Sequence, residues 1–323
     1  MNTNFDEMTS SALRALESVL DIKPADAVLI LTDEKKFNVA RAFHKACELK
    51  GCPVDTYKIL SSDRPLKEVP ARLNDMLPQK TVVLNILEAY PEEIGFRIKW
   101  IFKTEATKII RAGHMPGVTE SMLTDGPMNI DYGKMLETAE KLISRLKDAE
   151  LVSIKTSAGT DLTIGVKERS FRHDLKIGNG ETGNLPCGEV YCAPVENNAN
   201  GKLVIDASIG DIGLLKTPLI INIENGRIIN FESEDSSLVD RINFLTGEDI
   251  DCRTIGELGI GVNPGARILG NMLEDEKAFG TAHIAFGNNE DFGGVNRAKI
   301  HRDFLFHAPE IHVLLKNGSS LKL

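Results

Sequence analysis

The sequence predicts an α/β protein in two parts, a Rossmann-like parallel-sheet domain over residues 1–150 and a strand-rich α+β domain over residues 151–323. Three observations predict it. In the first half, apolar runs of about 5–8 residues alternate with helical patterns of about 10–15, the signature of strand–helix–strand units. Near Glu150 the texture changes to short strands dense in Gly and Asn. The length of 323 residues also exceeds what one hydrophobic core usually organises.

The elements follow in order. An amphipathic stretch from Met8 to Leu20 leads through Pro24 to the apolar run Ala27–Asp33. A helical pattern over Phe37–Lys50 precedes a strand at Val54–Leu60, and a helix carries Leu66, Val69 and Leu73. The run Thr81–Ala89 is the next strand, a helix surrounds Trp100, ATKIIRAG (Ala106–Gly113) is a further strand, and a long helix covers Tyr132–Leu146. The second half offers LVSIKTS, DLTIGV, KLVIDASI and PLIINIENGRI, the last with the Asn225-Gly226 pair that marks a tight hairpin. No repeat of fixed period or low-complexity tract interrupts the chain.

Composition narrows the function. Hydrophobic residues make up 42% and charged residues 26%, ordinary for a folded globular protein. The net charge of −9 argues against a nucleic-acid partner, which needs clustered Lys and Arg. The N-terminus reads as a polar lead into a helix rather than a secretory signal. No apolar run approaches the roughly 18–20 residues that span a bilayer, so no membrane role is expected. Five cysteines, an odd number, argue against a disulfide framework and for a cytoplasmic protein.

The segment GNGETG (Gly178–Gly183) satisfies G-x-G-x-x-G, but a dinucleotide site needs a strand before it and a helix N-terminus after it. It runs instead into Asn184-Leu185-Pro186-Cys187, so it reads as a loop and no dinucleotide is expected. Cys187 and Cys192 lack a second pair at zinc-finger spacing and read as packing residues.

Four other segments concentrate metal-ligand chemistry. GNLPCGEVYCAP carries Glu189, CRTIGELGIGVNPGA carries Glu257, FGTAHIAFGNN carries His283, and NRAKIHRDFLF carries His301 and Asp303. Residues i and i+2 of a strand share a face, so His301 and Asp303 stand side by side while Arg302 turns away. The glycines beside Glu189 and Glu257 let backbone approach a crowded site. Three carboxylates and two imidazoles suit Zn²⁺, Co²⁺ or Mn²⁺, and five ligands exceed what one catalytic ion with an open position takes, favouring two ions. Taken singly, each has a plainer reading: a loop carboxylate, a turn residue, a core histidine, a surface trio. His44, His114, His173, His307 and His312 read as structural, while Arg253, Asn263, Asn289 and Glu290 are candidate pocket residues.

In order along the chain, these segments resemble the family of thermophilic metallo-aminopeptidases of the aminopeptidase T and aminopeptidase S type. The matches are Gly159–Thr163 (GTDLT), Asn184–Val190 (NLPCGEV), Glu257–Pro264 (ELGIGVNP), Gly280–Gly287 (GTAHIAFG) and the pair His301, Asp303. The resemblance implies a metal-binding catalytic domain at 151–323, with Glu189, Glu257, His283, His301 and Asp303 holding two divalent ions. It implies a hydrolase that removes N-terminal residues from peptide substrates, and a homodimer. Glu257 is the candidate to carry a proton from the attacking water to the leaving amine. One departure is the short stretch between His283 and His301, which lacks the tyrosine the family carries there. The alternative is a mononuclear Fe(II) dioxygenase of the dihydroxypyridine-opening type. Those enzymes keep H-x-D but have histidine in place of Glu257 and no counterparts of Glu189 and His283.

Overall fold

A computed structural model describes residues 3–247, 249–307 and 309–323. In chain order it begins with α1 (Thr3–Val19), β1 (Val28–Asp33), α2 (Phe37–Lys50), β2 (Val54–Ile59), α3 (Ala71–Met76), β3 (Val82–Leu87), α4 (Ile94–Glu105), β4 (Arg111–Pro116), α5 (Ser121–Thr124) and α6 (Tyr132–Leu146). There follow β5 (Ala149–Lys155), β6 (Asp161–Gly165), β7 (Arg172–His173), β8 (Thr182–Asn184), β9 (Glu189–Cys192), β10 (Ala199–Ile205), β11 (Ser208–Ile209) and β12 (Gly213–Leu214). The chain ends with β13 (Leu219–Glu224), β14 (Arg227–Glu232), α7 (Ser236–Thr246), β15 (Ile255–Gly261), α8 (Met272–Asp275), β16 (Thr281–Gly287), β17 (His301–His307), β18 (Glu310–Leu315) and β19 (Ser320–Lys322). Two compact units divide it, one of residues 1–134 and 174–187, the other of 135–173 and 188–323.

The first unit holds a wholly parallel sheet in the order β2-β1-β3-β4-β8. Every residue of β1 and β3 is buried, which is why these strands read as unbroken apolar runs: helices cover both faces of such a sheet. On one face Leu29, Leu31, Val83, Leu87, Phe96 and Trp100 form a core. The helix expected around Leu66–Leu73 is only α3, starting after Pro70, because proline restricts the residue before it. The strand expected from Ala106 starts at Arg111, since Ala106–Lys108 finish the last turn of α4 and Lys108 has φ 61°. The GNGETG loop enters β8, which pairs with β4. At the crevice between the C-terminal ends of β1 and β3, where doubly wound sheets bind ligands, Arg64 pairs with buried Asp33 and Glu93.

The second unit holds two antiparallel sheets of seven strands, β14-β13-β10-β6-β5-β18-β19 and β12-β11-β17-β16-β15-β9-β7. Asn225 (φ 49°) and Gly226 (φ 77°) make the two-residue turn between β13 and β14, as their left-handed tolerance predicts. Aromatic rings join the two sheets: Phe231 of β14 stacks on Phe304 of β17 at 6.4 Å, and Phe286 of β16 meets Phe304 edge-on at 5.6 Å. Alternation therefore puts Phe286 and Phe304 on the core face of the second sheet and leaves His283 and Asp303 on the other. All five cysteines are free and buried. No helix among the described residues is long and apolar enough to cross a membrane.

Candidate metal centre

The outer face of the second sheet gathers all five candidate residues. β9 supplies Glu189, β15 Glu257, β16 His283, and β17 both His301 and Asp303. Directly paired residues of an antiparallel sheet share a face. Each of the five has at least one paired neighbour with little or no side chain: Glu189 with Gly261, His283 with Gly259 (its partner on β17 is Leu305), Glu257 and Asp303 with Ala285, and His301 with Gly287. These partners leave the room that two imidazoles and three carboxylates need. At Gly259 the space is taken by a candidate ligand itself, since a Cβ there would lie 2.1 Å from the His283 ring. A register shift between Ile255 and Glu257 bulges β15 at Gly256, a device that re-aims the next side chain.

The distances describe two overlapping triads. His283 Nε2 lies 3.3 Å from Glu189 Oε2 and 3.6 Å from Glu257 Oε1. His301 Nε2 lies 3.1 Å from Glu257 Oε2 and 3.3 Å from Asp303 Oδ1. Ligand atoms of Glu189, Glu257 and His283 fall within 4.8 Å of one another, and so do those of Glu257, His301 and Asp303. Glu257 is common to both, one oxygen toward each imidazole. Arg302 points away, donating to the Leu245 carbonyl at 2.9 Å and pairing with Asp211 at 3.1 Å, as strand alternation requires.

Electrostatics test whether a cation fits. Burial alone would raise the Glu257 carboxyl, but hydrogen bonds and charge from His283 and His301 outweigh it and hold the group well below the carboxylate range. Burial likewise opposes charge on His283, yet Glu257 and Glu189 push its pKa up to about 9. Lost hydration opposes charge on His301 as well, yet Asp303 and Glu257 raise this partly exposed ring well above 6.5. The His301 Nδ1 donates to the Asn288 carbonyl at 2.8 Å, so Nε2 of the neutral ring presents a lone pair to two carboxylates. Only a proton or a cation relieves that arrangement, and a divalent ion with borderline-soft character suits mixed imidazole and carboxylate donors. The donor set fits a metal.

Several residues at the centre carry no metal-ligand pattern in the sequence. Lys277 is fully buried, its ammonium paired with Glu189 Oε1 and, at 2.6 Å, with Glu276 Oε1. Glu274 and Asp275 are also buried: Glu274 accepts from the Arg267 backbone and side chain at 3.0 Å, and Asp275 from the backbone of Leu269 and Gly270. A run of four charged residues reads as a solvated face; only the order Glu276-Lys277 just ahead of the His283 strand hinted otherwise. Phe292 stands edge-on to both Tyr191 (5.7 Å) and His301 (5.3 Å). Tyr191, two residues beyond Glu189, shares its face of β9.

The four candidate pocket residues each have partners in the surrounding structure. Arg253 bonds the Gly247 carbonyl and Asn243, Asn263 caps Gly265, and exposed Glu290 pairs with Arg297. Asn289 donates to Glu196, which also accepts from Val295 N and pairs with Arg169. Among the other histidines, His44 meets Thr56 at 3.1 Å and His307 meets Asp206 at 3.2 Å. Burial drives His114 down to about 3.

Residues 124–321, more than half of the chain, match the thermophilic metalloprotease (M29) family. The chain belongs to that family. M29 membership makes it a metallopeptidase, a hydrolase that works with a divalent metal, and the centre described above lies wholly within the matched residues. Among solved structures it is similar to wild-type AmpT from Thermus thermophilus, with a TM-score of 0.73 and 17% identity over 98% of this chain and 97% of that one. It is also similar to 2,5-dihydroxypyridine dioxygenase from Pseudomonas putida KT2440, with a TM-score of 0.71 and 17% identity over 97% and 96% of the two chains. At that identity the likeness is one of fold. No curated protein matches the sequence.

Proposed function

We propose that this M29 metallopeptidase is an aminopeptidase that removes N-terminal residues from peptides at a centre of two divalent ions. The observation that carries the reading is Glu257, whose two oxygens face His283 and His301 separately and so serve two ligand triads at once. Glu189, Glu257 and His283 would hold one ion; Glu257, His301 and Asp303 would hold the other. Charge supports two. Glu189, Glu257, Asp303 and Glu276 carry four negative charges and Lys277 one positive, a balance of −3. One divalent ion leaves −1, whereas two leave +1, which an attacking hydroxide neutralises.

When bound, such ions polarise the scissile carbonyl and bring hydroxide within reach of neutral pH. The chain's own residues do the rest. Phe292, whose ring lies 5.3 Å from His301 and 5.7 Å from Tyr191, would offer an apolar contact beside the ligands for the first side chain of a peptide. Glu257, between the two triads, is our candidate to take the proton of the attacking water and return it to the leaving amine, a role worth about 10²–10⁴-fold. Membership of the M29 family and the resemblance of the five motif segments to aminopeptidases both support N-terminal cleavage.

The test is metal content and turnover together. The metal-free protein is reconstituted with Zn²⁺, Co²⁺, Mn²⁺ or anaerobic Fe²⁺, and bound metal and aminoacyl-anilide hydrolysis are measured. Close to two ions per chain with hydrolysis supports the reading, and Glu257→Gln then loses activity by about 10²-fold or more. The likeness to the dioxygenase gives the second reading its one footing. A single tightly held iron with cleavage of an aromatic diol, and no hydrolysis, would replace the first reading with it.

A further inference from the structure

Resting on the metal-centre reading, we infer that Lys277 is a positioning residue that restricts Glu189 to one ligand oxygen and so keeps a coordination position open for the substrate. Lys277 lies next to the centre without belonging to either triad. Its side chain is fully buried, and its ammonium is held between Glu189 Oε1 and Glu276 Oε1. The other oxygen of Glu189, Oε2, faces His283 Nε2 at 3.3 Å. The two oxygens of this carboxylate thus have divided tasks, one toward the imidazole of the triad and one toward a fixed cation.

The fold pays for this arrangement with a buried lysine, which is tolerated only when charges surround it. β15 and β16 fix its place: Asn263 N donates to the Lys277 carbonyl at 2.9 Å, and Asn263 and Ala278 form a bridge just before β16. Lys277 therefore cannot drift from Glu189 without moving the strand that carries His283. A carboxylate left to itself beside a divalent ion can close onto it with both oxygens, filling the position that a catalytic site must leave for substrate. Lys277 prevents that closure and also removes negative charge from one triad.

The consequence has an unusual sign. A residue that merely supports the fold weakens metal binding when it is removed. Lys277→Met, a neutral side chain of similar length, is expected to tighten one ion by at least about tenfold, because a positive charge next to its ligand is gone. In the same variant kcat falls by about tenfold or more, because Glu189 takes the open position. The probe is Zn²⁺ alone, titrated into metal-free wild type and variant in competition with a chelator, beside kcat and KM on an aminoacyl anilide.

Wild type that binds no divalent ion overturns the metal-centre reading and this inference with it. Wild type that binds while folded Lys277→Met binds equally or more weakly overturns the inference alone. If Lys277→Met does not fold, infrared spectra of the wild type decide. The metal-minus-apo carboxylate band that Glu189→Gln removes should show the wide splitting of one-oxygen ligation; a narrow splitting overturns the inference.

Discussion

Gly259 shows how much of the centre depends on a missing side chain. The His283 ring lies over β15 where a Cβ on residue 259 would sit, 2.1 Å from both Cε1 and Nε2. Gly259→Ala should therefore swing His283 out of its triad, at a cost of about 1–3 kcal/mol for overpacking. Elemental analysis should find metal lost from the variant, and a melting curve should show the destabilisation. Full metal content at an unchanged melting temperature would mean that the ring does not need that space. The glycine was visible in the sequence as one of several near Glu257, but nothing local said which ring it faced, because cross-strand register is a long-range property.

At the scale of elements, the segment from Asn288 to Ile300 carries the carbonyl that orients His301. It is short, and it is pinned by Glu196, which accepts from Asn289 and Val295 N and pairs with Arg169, while Arg169 in turn donates to the Gly293 carbonyl. Despite its burial, these partners hold the Glu196 carboxyl below its ordinary value. Glu196→Ala strips all of them and should cost about 3 kcal/mol, as loss of one partner in a largely buried pair does. Thermal denaturation of the metal-free protein reads this directly, and a variant that melts with wild type would show the segment to be held by other means. The metal-bound form should lose turnover as well, through the His301 ring that the Asn288 carbonyl fixes.

For the molecule as a whole, the metal-free form is stabilised by protons on its imidazoles. His283 has a folded pKa of about 9 against 6.5 in an open chain, and His301 is shifted the same way. A raised pKa means that the folded state binds the extra proton, so this stabilisation is complete below about 6.5 and is lost as pH rises through about 9. In a chelator, the melting temperature should fall between those limits. Saturating Zn²⁺ should flatten the fall, since the ion takes the place of the protons, and its affinity should rise over the same span. A metal-free melting temperature that climbs with pH there would remove the imidazoles from the account.

Short-range pattern determined a good deal of this protein. Buried parallel strands appear as apolar runs at Val28–Asp33 and Val82–Leu87 because helices cover both their faces. The i, i+2 rule put His301 and Asp303 on one face and Arg302 on the other, and the Asn225-Gly226 turn followed from dihedral preference alone. The five candidate ligands were legible mainly through the resemblance of their segments to the aminopeptidases, since each residue taken singly had a plainer reading. Tertiary structure alone decided the rest. The loop after Gly178 adds β8 to the first sheet, a pairing with β4 that is distant in sequence. The run Glu274–Lys277 is buried, although charged residues normally seek water, because each carboxylate there finds a cation or a backbone N–H. That Glu257 stands between two imidazoles is a matter of strand register and of one bulge at Gly256, set by contacts among residues dozens of positions apart and by nothing within the segments themselves.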